Sequence, residues 1–504
     1  MQRARCENGV EVGSVTRSKT SRSTLEGCVT MCNRSIVWTI AALTVLAEAT
    51  GPSARANGTD PSGGPVPETA VVKSLDRVAE GYVKLALALG EHDPLYVDAY
   101  NGPPEWRAKA REEKKPLVEI EKETAPLLSE LARLDCSGEE EIVRLRRDYL
   151  VKALESLAAR ARMLGGTRYT FDEEAAALYD VVAPHFDDAY FAEALARVDS
   201  LVPPGEGSLL ERLERLKEGL IIPKEKLDTV FSAAIAEARS RTKERIALPE
   251  NESFTVEYVT NQSWSAYNWY KGDNHSVIQV NMDLPVYLSS MIGWACHEGY
   301  PGHHVQNVIF DARLVRERGW VEFTIQPLFC PQGPLNEGAA NFGIEVAFPG
   351  NERLAFERDV LCPLAGLDPV KAEIHFKIRE ASRALDYAKD MAARRYLDGE
   401  ITAEDAAQFL STNGLMTPAR ARKLVTFIDQ YRSYIVNYDV GYDLVKNFIE
   451  GRGGTEDRPE MRWKELGALL SAPRVPSALL KRGEAPAGPG AEFGAYGPRK
   501  EVAP

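Results

Sequence analysis

Three of the chain's seven histidines, His297, His303 and His304, fall within one eight-residue stretch of the segment WACHEGYPGHHVQN, Trp294 to Asn307, and Glu298 follows the first of them directly. Core packing gives no reason for such clustering, since histidine is only an intermediate core former. Holding an ion does. Zinc takes neutral imidazoles and carboxylates converging on one point, and hydrolysis at such a site needs a carboxylate beside the ion to take the proton of a water. A chain with this segment must supply a helix here and a second element crossing it with a further ligand.

The spacing departs from H-E-x-x-H, because the position four residues after His297 is Pro301. His304 lies seven residues on and returns to within about 20° of the His297 face of an ideal helix, with a rise of about 10.5 Å. His303 falls about 120° off that face unless the Pro301-Gly302 pair loops residues out. The expected second ligand is therefore His304, with His303 the alternative. In the downstream segment PLNEGAANFGIEVAF, Glu337 completes two histidines and one carboxylate with an open position, the catalytic arrangement. Asn341, one turn further on, is placed to orient a ligating histidine. Glu345 is the weaker candidate.

Composition bounds the rest. With 504 residues, 44% hydrophobic and 27% charged, the chain lies among ordinary globular proteins. The formal net charge is −13, and residues 1–56 carry seven Lys/Arg against four Asp/Glu, which leaves −16 on the remainder. That balance argues against a nucleic-acid partner. The one strongly apolar run, Ile36 to Ala47, follows Arg34 and precedes Ala54-Arg55-Ala56, the order of a signal peptide cleaved after Ala56. A periplasmic or secreted protein with no stable membrane span is expected. Cys136, Cys296, Cys330 and Cys362 form no C-x-x-C pair, and an oxidising compartment would permit one or two disulfides.

Patterning divides the chain into a leader and signal peptide (1–56), a Gly/Pro/Ser-rich linker (57–69), an N-terminal helical lobe (70–247), a catalytic core with a small sheet and the metal-binding helices (248–350), a C-terminal helical lobe (351–483) and a disordered tail (484–504). In the first lobe Ile142, Leu145, Tyr149, Leu150, Ala153, Leu154 and Leu157 recur at helical spacing. FTVEYVT, SWSAYNWY and SVIQVNM are β-prone, and KGDNH between the last two is a turn signal. The expected fold is mostly α with a small antiparallel β-sheet.

Other groups join the candidate site. His275 and Tyr270 flank the turn before the last strand and could face a substrate or an oxyanion. The strand Val277–Val280, including Gln279, offers backbone to an extended peptide. Tyr434, Tyr438 and Tyr442 stand at helical spacing, and Tyr438 is the one chosen to stabilise a tetrahedral intermediate. Cys296 reads as a small buried hydrophobe.

HEGYPGHHVQN followed by NEGAANFGIEVAF resembles a large bacterial family of unknown function with an HExxPGHH signature, usually grouped with the gluzincin metallopeptidases. The flanking segments YNWYKGDNHSVIQVNMDLP and SYIVNYDVGYDLV look like one subgroup of it. The resemblance implies a zincin-like helical metallopeptidase and supplies no substrate. Related chains often carry EGWALYxE at the second motif, whereas Ile344 stands here where their final Glu falls. That departure leaves the ligand role on Glu337 and puts Glu345 in doubt.

The function expected from these residues is zinc-dependent hydrolysis of short peptides, with Glu298 as general base. The alternatives are a non-catalytic periplasmic metal-binding or interaction protein, and a zinc amidase acting on non-peptide amides of the cell wall or of small molecules. Glu298 favours catalysis, because a pure binding site has no use for a carboxylate beside its first ligand.

Overall fold

A computed structural model describes residues 69–480. The leader with its cleavage site, all but the last residue of the linker, and the C-terminal tail lie outside the described residues. Helix starts follow local side-chain chemistry. Thr69 caps the helix Ala70–Gly90 by accepting the Val72 N–H, and Thr170, Ser208 and Thr402 close capping boxes with Glu173, Glu211 and Asp405. In the helix Glu141–Leu164, Tyr149, Leu150, Ala153, Leu154 and Leu157 of the expected stripe are buried, while Ile142 and Leu145 are half-buried.

Among the described residues five strands interrupt the helices: β1 (Val97–Tyr100), β2 (Ser253–Val259), β3 (Ala266–Gly272), β4 (His275–Asn281) and β5 (Ile325–Pro327). The protein is mostly helical with two small sheets, one of order β2-β4-β3 and one of β1 with β5. β3 and β4 form the expected hairpin, turned by Asp273 and Asn274 at φ 49° and 61°, where these residue types tolerate a left-handed backbone. β2, however, pairs with β4 in parallel, so the larger sheet is mixed rather than purely antiparallel.

That order corrects one expectation directly. β4 is the central strand, and the backbone around Val277 and Gln279 is taken on both sides, Val277 facing Thr255 and Trp269 and Gln279 facing Glu257 and Tyr267. No peptide can add to it. The free edge that approaches the histidine segment belongs to β3.

The histidine segment is seated by its own apolar face. Met291, Ile292, Ala295 and Cys296 are fully buried in a core shared with Ile278 and Val280 of β4, Leu335, Ala339 and Phe342, and Val445 and Ile449. Burying those positions turns His297 the other way. A second core joins the first helices to Trp320, Ile325 and Phe329. There the buried Arg146 grips Glu322 through Nε at 2.5 Å and Nη2 at 3.0 Å, and Asp76 through Nη1 at 2.8 Å. This fixes the turn Val321–Thr324 that leads into β5, and hence β1 beside it. Cys136, Cys296, Cys330 and Cys362 are buried and unpaired, and burial pushes the Cys296 thiol up to about 12. No helix among the described residues is long and apolar enough to cross a membrane.

Candidate metal centre

The helix carrying His297 does not run on to His304. Leu288–Trp294 gives way to a π-helical turn, Ala295–Gly299, and a new helix begins at His303. Tyr300 N–H donates to Ala295 O and Gly302 N–H to Cys296 O, both at 2.9 Å, folding the Pro-Gly segment back onto the turn it leaves. Only glycine fits at 302, where a Cβ would stand 2.0 Å from the His297 carbonyl oxygen. The π turn and the loop absorb the residues that separate this spacing from H-E-x-x-H. His303, not His304, comes back beside His297, with ring centroids 4.7 Å apart.

The preference for His304 as second ligand therefore fails on geometry. An uninterrupted helix would have carried His304 to the His297 face, and this helix is interrupted. His304 is fully buried on the opposite side, its Nδ1 2.9 Å from Ser276 Oγ and its Nε2 3.1 Å from Glu252 Oε2. Glu252 also receives Tyr300 OH at 2.5 Å and Arg239 at 2.7 Å. Burial works against its ionisation, but His304, Tyr300, Arg239 and Lys243 hold its carboxyl down at about 2. This buried knot anchors the loop from behind.

The cluster that could hold a metal ion is His297, His303 and Glu337, whose ligand atoms all lie within 4.8 Å of one another. Glu337 projects from the helix Gly333–Ala347, which crosses the histidine segment. Its Oε2 is 3.1 Å from His297 Nε2 and 3.7 Å from His303 Nε2. This oxygen is buried and no hydrogen bond reaches it among the described residues. Asn341 fixes the His297 tautomer: with its amide nitrogen toward Tyr438 O at 3.4 Å, its Oδ1 faces His297 Nδ1 at 2.9 Å. Nδ1 then carries a proton, which leaves Nε2, aimed at an unsatisfied carboxylate oxygen, as the ring's ligating nitrogen. Two imidazole nitrogens and one carboxylate, arranged this way, fit a divalent cation.

The electrostatics agree. Burial disfavours a charged His297, yet contact with Glu337 and the charge of Glu298 push it up to about 9. Burial likewise opposes the Glu337 anion, but His303 and His297 hold its carboxyl far below the usual range. The site calls for positive charge.

Around this cluster opens a cavity of about 740 Å³. Glu298 faces it, 5% exposed, with no hydrogen bond to its carboxylate among the described residues. Burial raises its pKa, the nearby histidines oppose that, and Glu337 adds to it. Tyr434 donates to Glu337 Oε1 at 2.8 Å. Tyr438 lines the cavity within the field of both carboxylates, burial and those charges raising its phenol. Tyr442 is elsewhere: it and Arg383 both bind Glu345, which removes Glu345 from the cluster.

The remaining candidates separate. Tyr270 lines the cavity, but its hydroxyl is committed to Asp311 Oδ2 at 2.9 Å and to the Asn274 N–H at 3.1 Å. His275 and Gln279 are not in the lining of this cavity: His275 Nδ1 lies 3.1 Å from Ser253 Oγ, and the Gln279 amide is held by Trp269 and Glu257. Asp98 was not anticipated. A register irregularity between Val97 and Ala99 in β1 turns it into the cavity, where Tyr267 donates to it at 2.6 Å. The signal was LYVDAYNG, a strand-like run with a turn dipeptide inside an otherwise helical region.

No family model matches the sequence, and no curated protein does. Among solved structures, the chain is similar to a protein from Colwellia psychrerythraea described as a lipoprotein, at 14% identity and a TM-score of 0.46, covering 81% of this chain and 76% of that one. It is also similar to a carboxypeptidase from Pyrococcus furiosus, at 14% identity and TM-score 0.40 over 84% and 97% of the two chains. A protein from Shewanella oneidensis, described as a lipoprotein of unknown function, follows at 15% identity and TM-score 0.36, covering 73% and 74%.

Proposed function

We propose that this protein is a zinc-dependent peptide hydrolase that takes short peptides into the cavity beside His297, His303 and Glu337. The observation that carries this reading is the buried Glu298 carboxylate, free of hydrogen bonds among the described residues and next in sequence to a candidate ligand, at the wall of a cavity of a size usual for ligand sites. Two nitrogens and one oxygen suit zinc, which when bound supplies a Lewis acid and eases the deprotonation of water. The chain's own residues do the rest. Glu298 takes the proton from the attacking water and returns it to the leaving amine. Tyr438 donates to the oxygen of the tetrahedral intermediate, and Tyr434 holds the outer oxygen of Glu337. Asn341 keeps His297 in the tautomer that presents Nε2.

The free edge of β3 is the natural support for the substrate backbone, since Ala266, Tyr267, Asn268 and Tyr270 all line the cavity. Asn268 Nδ2 donates to the Glu298 carbonyl oxygen at 2.7 Å, so this strand and the general base are tied together. An ion-binding protein without catalysis would need neither the free carboxylate nor the edge.

Elemental analysis of protein purified without chelator is expected to find about one zinc per chain, because one ligand cluster is present among the described residues. Chelation should remove the zinc and, with it, cleavage of a mixed peptide library. No bound transition metal before or after zinc soaking would defeat the reading. Export follows from the order of residues 34–56, and N-terminal sequencing from the native host should start at Asn57. An intact leader on cytoplasmic protein would contradict it.

A further inference from the structure

One face of the helix Pro418–Tyr431 forms a wall of the cavity, through Arg420, Lys423, Leu424, Phe427 and Tyr431. The aromatic end of this face closes on the metal cluster. The Tyr431 and Tyr434 rings are 6.1 Å apart and those of Phe427 and Tyr438 6.4 Å. The other end carries cations with little to neutralise them. The Arg420 guanidinium lies 5.1 Å over the Tyr287 ring and makes no salt bridge among the described residues. Lys423 comes no nearer than 3.8 Å to Asp283, whose carboxylate already accepts the N–H groups of Asn261 and Gln262. Lys389, the third cation on the wall, is spent on Asp439 at 3.0 Å.

β3 relates this basic end to the acidic one. Asp283 pins Asn261 and Gln262 just before the strand begins, which sets Lys423 at its start. Further along, Tyr267 reaches Asp98 and Tyr270 reaches Asp311, the two aspartates of the cavity. The free edge of β3 thus runs from cations to carboxylates.

We infer that Arg420 and Lys423 form the subsite for the C-terminal carboxylate of a short peptide lying antiparallel to β3. This rests on the peptidase reading and adds to it a direction and a substrate class. The two cations are eight to eleven residues from Tyr431, about 12–17 Å along the helix at 1.5 Å per residue. That span leaves room for more than one residue between the cations and the end of the wall that meets Tyr434. The preferred substrate is an oligopeptide with a free C-terminus.

The test uses two pentapeptides of one sequence, one ending in a free acid and the other in an amide. Both are titrated calorimetrically into full-length Glu298→Gln protein, with the peptides checked intact afterwards, and both are assayed for turnover by the unsubstituted protein. The free acid should bind about tenfold or more tightly, the scale of a charge-assisted contact. Arg420→Gln and Lys423→Gln should each shrink the acid-to-amide ratio, the pair should bring it near one, and Lys423→Glu should reverse it. A ratio near one in Glu298→Gln protein, or no binding of either peptide, overturns the anchor even if both are cleaved. If neither is cleaved but the ratio and its dependence on Arg420 and Lys423 persist, the anchor stands and the peptidase reading falls.

Discussion

In Glu298→Gln protein, peptide hydrolysis is expected to drop by about 100- to 10,000-fold while the metal stays bound. The amide has nearly the shape of the carboxylate but cannot take a proton from water. Its loss leaves His297, His303 and Glu337 in place, since the Glu298 carboxylate forms no hydrogen bond and holds no other side chain among the described residues. Glu337→Ala, in contrast, removes the oxygen that both imidazoles face, and should lose metal and activity together. Parallel metal analysis and single-turnover assays distinguish the two. Full activity in Glu298→Gln protein would sink the general-base mechanism.

His303→Ala and His304→Ala should differ in kind. Without His303 two donors remain, too few to hold zinc firmly, so metal and hydrolysis are lost with little change in folding stability. Without His304 a fully buried ring disappears from between Ser276 and Glu252, at a cost of about 2–4 kcal/mol in denaturant unfolding. Some metal binding should survive, because Arg239 and Tyr300 still hold Glu252. Equal metal loss in both variants, with equal stability, would refute the division of roles.

What the sequence made legible is what local chemistry sets. The KGDNH turn, the helix caps and the apolar stripe of Glu141–Leu164 follow from neighbours within a few residues. His297, Glu337 and Asn341 also meet as their spacing suggested, because each sits on a helix whose buried face fixes its direction. His303 was misplaced because an ideal helix was carried through a segment that contains a π turn and a proline-glycine loop. Glu252, which captures His304, and Asp98, which faces the cavity, come from 52 and more residues upstream. No local rule reaches that far. The order β2-β4-β3 was hidden for the same reason, since strand neighbours are settled by chain crossing rather than by residue pattern.

The run of small residues around Glu337 also takes on a meaning. A Cβ on Gly338 would come 2.1 Å from the Gly441 carbonyl oxygen, and one on Gly441 would come 2.2 Å from that of Pro334. A Cβ on Gly343 would press on the Pro301 ring, 3.0 Å from its Cγ. The helices bearing Glu337 and Tyr438 therefore touch main chain to main chain, and the histidine loop meets the first of them through the Pro301 ring. A methyl group at any of these points would act as a wedge, prying the tyrosines from the carboxylate or the carboxylate from the imidazoles. The site's dimensions are written in atoms that are missing, and its precision is that of the peptide backbone itself.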